Sequence, residues 1–86
     1  MSEPDPEAAK RLARLLLAEI KLVETYKLER GIRTKNILGS LDNEISSARK
    51  KFSQTYGHDS ALSIFDEQVL LVLADGDQSL LGNRIG

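Results

Sequence analysis

The chain has 86 residues and a net charge of −1, and only five per cent of its residues are aromatic. It contains no cysteine and a single histidine, which excludes disulfides, thiolate zinc sites and histidine metal clusters, and no apolar run approaches the ~20 residues of a membrane span. We therefore expect no cofactor and no membrane insertion, and we expect so small a core to draw part of its stability from a partner chain.

The first predicted helix follows a tail at residues 1–5 that we expect to be disordered. Asp5 can cap this helix, and Pro6 suits its first position. No helix breaker follows before Gly31, so the helix is predicted to span residues 6–26. Its apolar arc covers about half of the circumference, more than one neighbour requires. The residues of this arc are Ala8, Ala9, Leu12, Leu15, Leu16, Ile20, Leu22 and Val23.

Two residues of this helix stand out against the pattern. Glu19 falls near the centre of the apolar arc, where a carboxylate is costly unless it is paired and hydrogen-bonded. Arg49 is its expected partner, with Lys50 and Arg33 as weaker candidates, in a structural ion pair that we favour over a catalytic or ligand-binding role. Leu17 falls on the opposite side, within a basic stripe, and we expect it to be exposed and to belong to a contact surface.

Residues 27–35 are charged and lack periodicity, which predicts a loop before the second helix. This helix starts between Thr34 and Ser40, and either Thr34 or Asn36 can cap the early start that we prefer. Gly57 is expected to end it in a left-handed conformation. One apolar seam with helical spacing supports the assignment. Its members are Leu38, Leu41, Ile45, Ala48, Phe52 and Tyr56.

The third helix is predicted at residues 61–74, after a turn in which Asp59 or Ser60 supplies the cap, and Gly76 ends it. Asp77 can cap one further turn at residues 78–81, and residues 83–86 are expected to fray. The core face of the helix consists of Leu62, Phe65, Val69, Val72 and Leu73. Ile64 and Leu71 lie on its other side, which again exceeds what one core contact needs.

Residues 75–79 place oxygen ligands at alternate positions, as a calcium loop does, but Leu80 and Gly86 stand where that loop needs glycine and a bidentate glutamate. A helix stop followed by a helix cap explains them better. His58 lies beside an acid, yet no nucleophile motif or phosphate-binding loop accompanies it. These patterns predict no catalytic residue and no metal site.

Charge is distributed unevenly along the chain. Eleven basic residues face five acidic ones between Lys10 and Lys51, whereas a single arginine opposes five acids after Phe52. Attraction between these regions is the interpretation that we favour over a basic surface for an anionic partner. The basic residues that would contact nucleic acid are Lys10, Arg14, Lys21, Arg30, Arg33 and Lys35. The acidic overall balance and the few aromatics for base stacking argue against that partner.

Several short runs resemble a helical module found in the C-terminal tails of multidomain bacterial proteins, which often carry an N-terminal zinc ribbon or receiver domain. The runs lie at residues 9–14, 19–22, 29–31, 44–45, 48–49 and 81–82, and the most distinctive is Leu-Ala-Asp-Gly-Asp at residues 73–77. The sequence departs from the module at Gly39-Ser40, where charged residues are expected. The resemblance implies a bacterial, intracellular helical module without catalytic activity.

Together these patterns predict an all-α domain over residues 6–82, with three helices: a helical hairpin and a third helix across it. The surplus apolar faces predict a homodimer, or contact with another protein. The function predicted is that of a non-enzymatic, self-associating interaction module, and a nucleic-acid-binding helical domain is the alternative. A cysteine-free chain whose acidic start does not resemble a signal peptide fits the cytoplasm. The residues expected at the contact surface are Leu15, Leu17, Glu19, Leu22, Arg49, Ile64 and Leu71.

Overall fold

The structure, a computed structural model, describes residues 5–82, and all secondary structure in this range is helical. The all-α prediction is confirmed, but five α-helices replace the three that were predicted. They are α1 (Pro6–Val23), α2 (Thr25–Thr34), α3 (Ile37–Ser40), α4 (Asp42–Thr55) and α5 (Asp59–Gln68), followed by a π-helical turn (Val69–Leu73) and a 3₁₀ turn (Gln78–Leu80). The expected frayed end and most of the expected disordered tail lie outside the described residues. None of the described helices has the length and apolar character needed to cross a bilayer.

The start of α1 agrees with the sequence, whereas its end does not. The Asp5 carboxylate accepts a hydrogen bond from the Glu7 backbone N–H at 3.0 Å, as an N-cap does. The helix stops at Glu24, whose φ of −111° and ψ of 44° are not helical. The chain then turns into α2 where a loop was predicted, because Leu28 and Gly31 are buried on that helix. Burial of these two positions explains why the charged, aperiodic segment is helical.

A tight corner joins α2 to α3. Lys35 adopts a left-handed conformation with φ 55°, and the Asn36 side chain accepts a hydrogen bond from the Gly39 N–H, which confirms Asn36 as the cap of the early start. A Cβ on Gly31 would lie 2.8 Å from the Ile37 Cα, so only glycine permits this approach of the two backbones. The second predicted helix is then interrupted at Leu41, between α3 and α4.

The α4 seam enters the core as predicted: Leu41, Ile45, Ala48 and Phe52 are buried, and Tyr56 packs against them in part. The Phe52 ring lies 5.4 Å from the Tyr56 ring and 5.3 Å from the Phe65 ring, measured between centroids, which joins α4 to α5. Gly57 is not left-handed, so the predicted role of this glycine is wrong. The last helical residue is Thr55 instead.

The predicted third helix exists, but it begins at Asp59, so Asp59 and Ser60 lie within it and neither is its cap. Its last third, from Val69 to Leu73, is π-helical. It ends at Asp75 and Gly76, whose φ values of 54° and 82° confirm the predicted stop. The Asp77 carboxylate accepts hydrogen bonds from the Ser79 N–H and hydroxyl at 3.0 and 2.6 Å, which confirms the capped further turn and lowers the pKa of Asp77. Capping thus accounts for the residues that resemble a calcium loop.

Helix α1 lies at the centre of the packing, against α5, the π-helical turn and α4. Its four buried residues, Ala9, Ala13, Leu17 and Ile20, form an inner face toward these neighbours. Phe52, Phe65 and the other fully buried side chains complete the core. At the other end, the Leu38 N–H donates to the Leu81 carbonyl at 2.9 Å, which ties the C-terminal turn to α3.

Candidate functional site

The side of α1 that faces away from the core is apolar and exposed. We call it the outer face, and it comprises Ala8, Arg11, Leu12, Leu15, Ala18, Glu19 and Leu22. Ala8 and Leu12 are half-buried at its edge, and Leu12 packs in part against the core. Leu15 is 68% exposed and Leu22 is 81% exposed, whereas a soluble domain normally covers leucines that share one helix face. Val23, the last residue of α1, and Tyr26, on α2, are also exposed.

Only part of the predicted apolar arc of α1 faces the core. Ala9 and Ile20 of that arc are buried, whereas Leu15 and Leu22 are exposed, as a contact surface requires. Leu17 is fully buried, which contradicts its predicted exposure.

The two faces of α1 differ in charge. The four inner residues are all apolar, whereas the outer face carries Arg11 and Glu19, whose burial without partners would be costly.

Glu19 is exposed, so the prediction of a buried carboxylate is wrong. The proposed Glu19–Arg49 pair is also wrong, because both guanidinium Nη atoms of Arg49 donate to the carboxylate of Asp66 on α5. That ion pair is partly open to solvent and joins α4 to α5. Arg49 therefore has a structural role and does not belong to the outer face.

The other two predicted contact residues, Ile64 and Leu71, differ in exposure. Ile64 is half-buried and packs against the core, so its expected exposure is wrong in part. Leu71, in the π-helical turn, is 45% exposed. Neither of them belongs to the outer face of α1, and only Leu71 offers much apolar surface.

The sequence did not identify Gln68, the one polar side chain buried within the described part of the chain. Its Oε1 accepts a hydrogen bond from the Arg14 Nε–H at 2.9 Å. This bond ties the Arg14 side chain to α5. A polar residue next to the apolar run at residues 69–74 is the only signal in the sequence that could have drawn attention to it.

A cleft of 460 Å³ separates α1 from α4, and its lining includes Glu19, Glu24, Glu44 and Lys51. Glu44 is engaged there, because the Lys27 Nζ donates to its Oε2 at 2.6 Å. This hydrogen bond lowers the pKa of Glu44 and raises the pKa of Lys27. Between residues 5 and 82, no three acidic or histidine side chains come close enough together to hold a metal ion.

The six basic residues considered for nucleic acid are divided between two helices and the corner that follows the second. Lys10, Arg14 and Lys21 are on α1, whereas Arg30, Arg33 and Lys35 are on α2 and its C-cap. Lys10 also lies 3.9 Å from the Glu7 carboxylate. The structure does not gather these cations into one described groove.

Comparison with known proteins adds no relative: no family model, curated protein or solved structure matches this chain. The resemblance to a bacterial tail module stays a prediction. What the molecule does must therefore be argued from its surface.

Proposed function

We propose that this domain is a non-enzymatic interaction module that self-associates, and that the outer face of α1 is the contact surface of a homodimer. The observation that carries the proposal is the exposure of Leu15 and Leu22 on one stripe of a helix whose opposite side is the core.

The free energy gained by burying the exposed leucines exceeds the cost of association only modestly, which favours a weak dimer. Burying an exposed leucine contributes about 1.5–3 kcal/mol, and a symmetric contact buries Leu15 and Leu22 from both copies. Association costs at least about 4 kcal/mol in lost freedom. With four leucines, the surplus is about 5 kcal/mol at the middle of these values and about 8 kcal/mol at their favourable end, which corresponds to a dissociation constant between about 0.2 mM and about 1 μM. A single 18-residue helix also offers less surface than the roughly 800 Å² per partner of a standard interface.

The test is sedimentation velocity from about 1 to 200 μM protein. The wild type should move from monomer to dimer across this range, and Leu15→Ser combined with Leu22→Ser should stay monomeric. Ile32→Ser is the matched control, because Ile32 is also an exposed aliphatic residue but lies on α2. A wild type that is monomeric at the highest concentration, or a double serine variant that still dimerises, contradicts the proposal.

A further inference from the structure

We infer that the two copies pair antiparallel through α1, with the two-fold axis beside Leu15 and with Arg11 of each copy facing the partner's Glu19. This inference rests on the proposed self-association and adds the geometry of the contact. It follows from the position of the charged residues on the outer face and from the order of large and small side chains along it.

Arg11 and Glu19 are the two charged residues of the outer face, and both are exposed. Each is four residues from Leu15, so each lies about 6 Å from it along the helix axis, on opposite sides. Four residues also rotate the helix by about 40°, which places Arg11 on one flank of Leu15 and Glu19 on the other. Leu15 is therefore the midpoint of a balanced pair of opposite charges.

This placement distinguishes the two ways in which identical helices can face each other. In a parallel pair, each residue lies at the same height along the helix axis as the identical residue of the partner. Arg11 then faces the partner's Arg11, and Glu19 faces the partner's Glu19. In an antiparallel pair centred on Leu15, Arg11 stands at the height of the partner's Glu19, twice by symmetry. Charges at the edge of a helix pair set its orientation in this way.

The apolar residues fit the same arrangement. An antiparallel pair centred on Leu15 places Leu22 opposite the partner's Ala8, and Leu12 opposite the partner's Ala18. Large side chains then meet small ones, which lets the two faces interdigitate. The structure already has a shallow apolar hollow that can receive such a side chain. Its lining consists of Ala8, Arg11, Leu12, Arg14, Leu15 and Ala18.

Charge reversal tests the orientation. In the antiparallel pair, Arg11→Glu or Glu19→Arg alone turns two attractions into two repulsions, and we expect about tenfold weaker dimerisation for each. Combining both reversals restores the pairs and should return the dissociation constant to within about threefold of the wild type. Lys50→Glu, at an exposed site on α4, is the charge-matched control and should change little. Circular dichroism checks that each variant stays helical.

Cysteine cross-linking provides a second readout, since the chain has no cysteine of its own. An equimolar mixture of Ala8→Cys and Leu22→Cys variants should oxidise to a mixed disulfide dimer, whereas Ala8→Cys alone should not cross-link. Dimerisation that requires Leu15 and Leu22 but is unchanged by single charge reversals, or that cross-links Ala8→Cys to itself, overturns the antiparallel arrangement and leaves the proposed function intact. A monomeric wild type overturns both.

Discussion

Replacing Leu17 with alanine should destabilise the monomer far more than replacing Leu15, two residues away on the same helix. Leu17 is fully buried among α1, α4 and α5, whereas Leu15 is 68% exposed. The two substitutions remove the same atoms from the same helix, so differences in helix propensity cancel. The comparison therefore measures which side of α1 is the core.

The magnitude follows from burial. Leu17→Ala loses the transfer free energy of the side chain and leaves a cavity, which together cost about 3 kcal/mol, within a range of about 2–5 kcal/mol for buried leucines. A domain of this length has a total stability of roughly 4–13 kcal/mol, so the loss is a large fraction of it. Leu15→Ala should change the free energy of unfolding by no more than about 0.5 kcal/mol.

Urea unfolding followed by circular dichroism at about 2 μM protein measures both values on the monomer, below the concentration at which dimerisation matters. The slope of unfolding free energy against urea should be unchanged in both variants. Equal losses, or a larger loss for Leu15→Ala, would refute the assignment of the inner face and would return Leu15 to the core.

Two further outcomes are expected. Gly31→Ala should lower stability by about 1–3 kcal/mol in the same urea assay, despite its better helix propensity, because the added Cβ would meet the Ile37 backbone at 2.8 Å; a neutral result would contradict the close corner. The hydrogen bond from Lys27 holds the pKa of Glu44 below its ordinary value. The contribution of the ionised Glu44 to the free energy of unfolding is therefore complete above pH ~4.3 and is lost as the pH falls through the lower pKa of the folded state. Glu44→Gln should therefore show a smaller drop in urea midpoint between about pH 6 and pH 3 than the wild type, and equal drops would contradict this assignment.

Leu15, Glu19 and Leu22 were predicted to lie on a contact surface, and they do share one exposed face. That they are exposed depends on tertiary packing, which the sequence pattern does not show. The surplus of apolar residues on α1 was visible, since it covers half of the helix. Which part of the surplus is covered depends on α4 and α5, which are distant in sequence. The partner of Arg49 was likewise decided by α5, through Asp66.

The sequence by itself determined where α1, α3 and the 3₁₀ turn begin and where the π-helical turn ends. Asp5, Asn36 and Asp77 act as caps through hydrogen bonds to their own neighbours, and Gly76 takes a positive φ that suits glycine. These are local interactions within a few residues, so local sequence is enough to specify them. The buried face of α4 could also be predicted, because this helix has a single apolar stripe.

Only the tertiary structure decided the breaks and the core side of α1. Glu24 has good helix propensity, yet α1 ends there because the chain must turn for Leu28 and Gly31 to be buried on α2. Helix α1 carries apolar residues on its inner and its outer face, and periodicity alone does not rank the two faces. Packing against α4 and α5, which are distant in sequence, placed Leu17 in the core and left Leu15 and Leu22 in solvent.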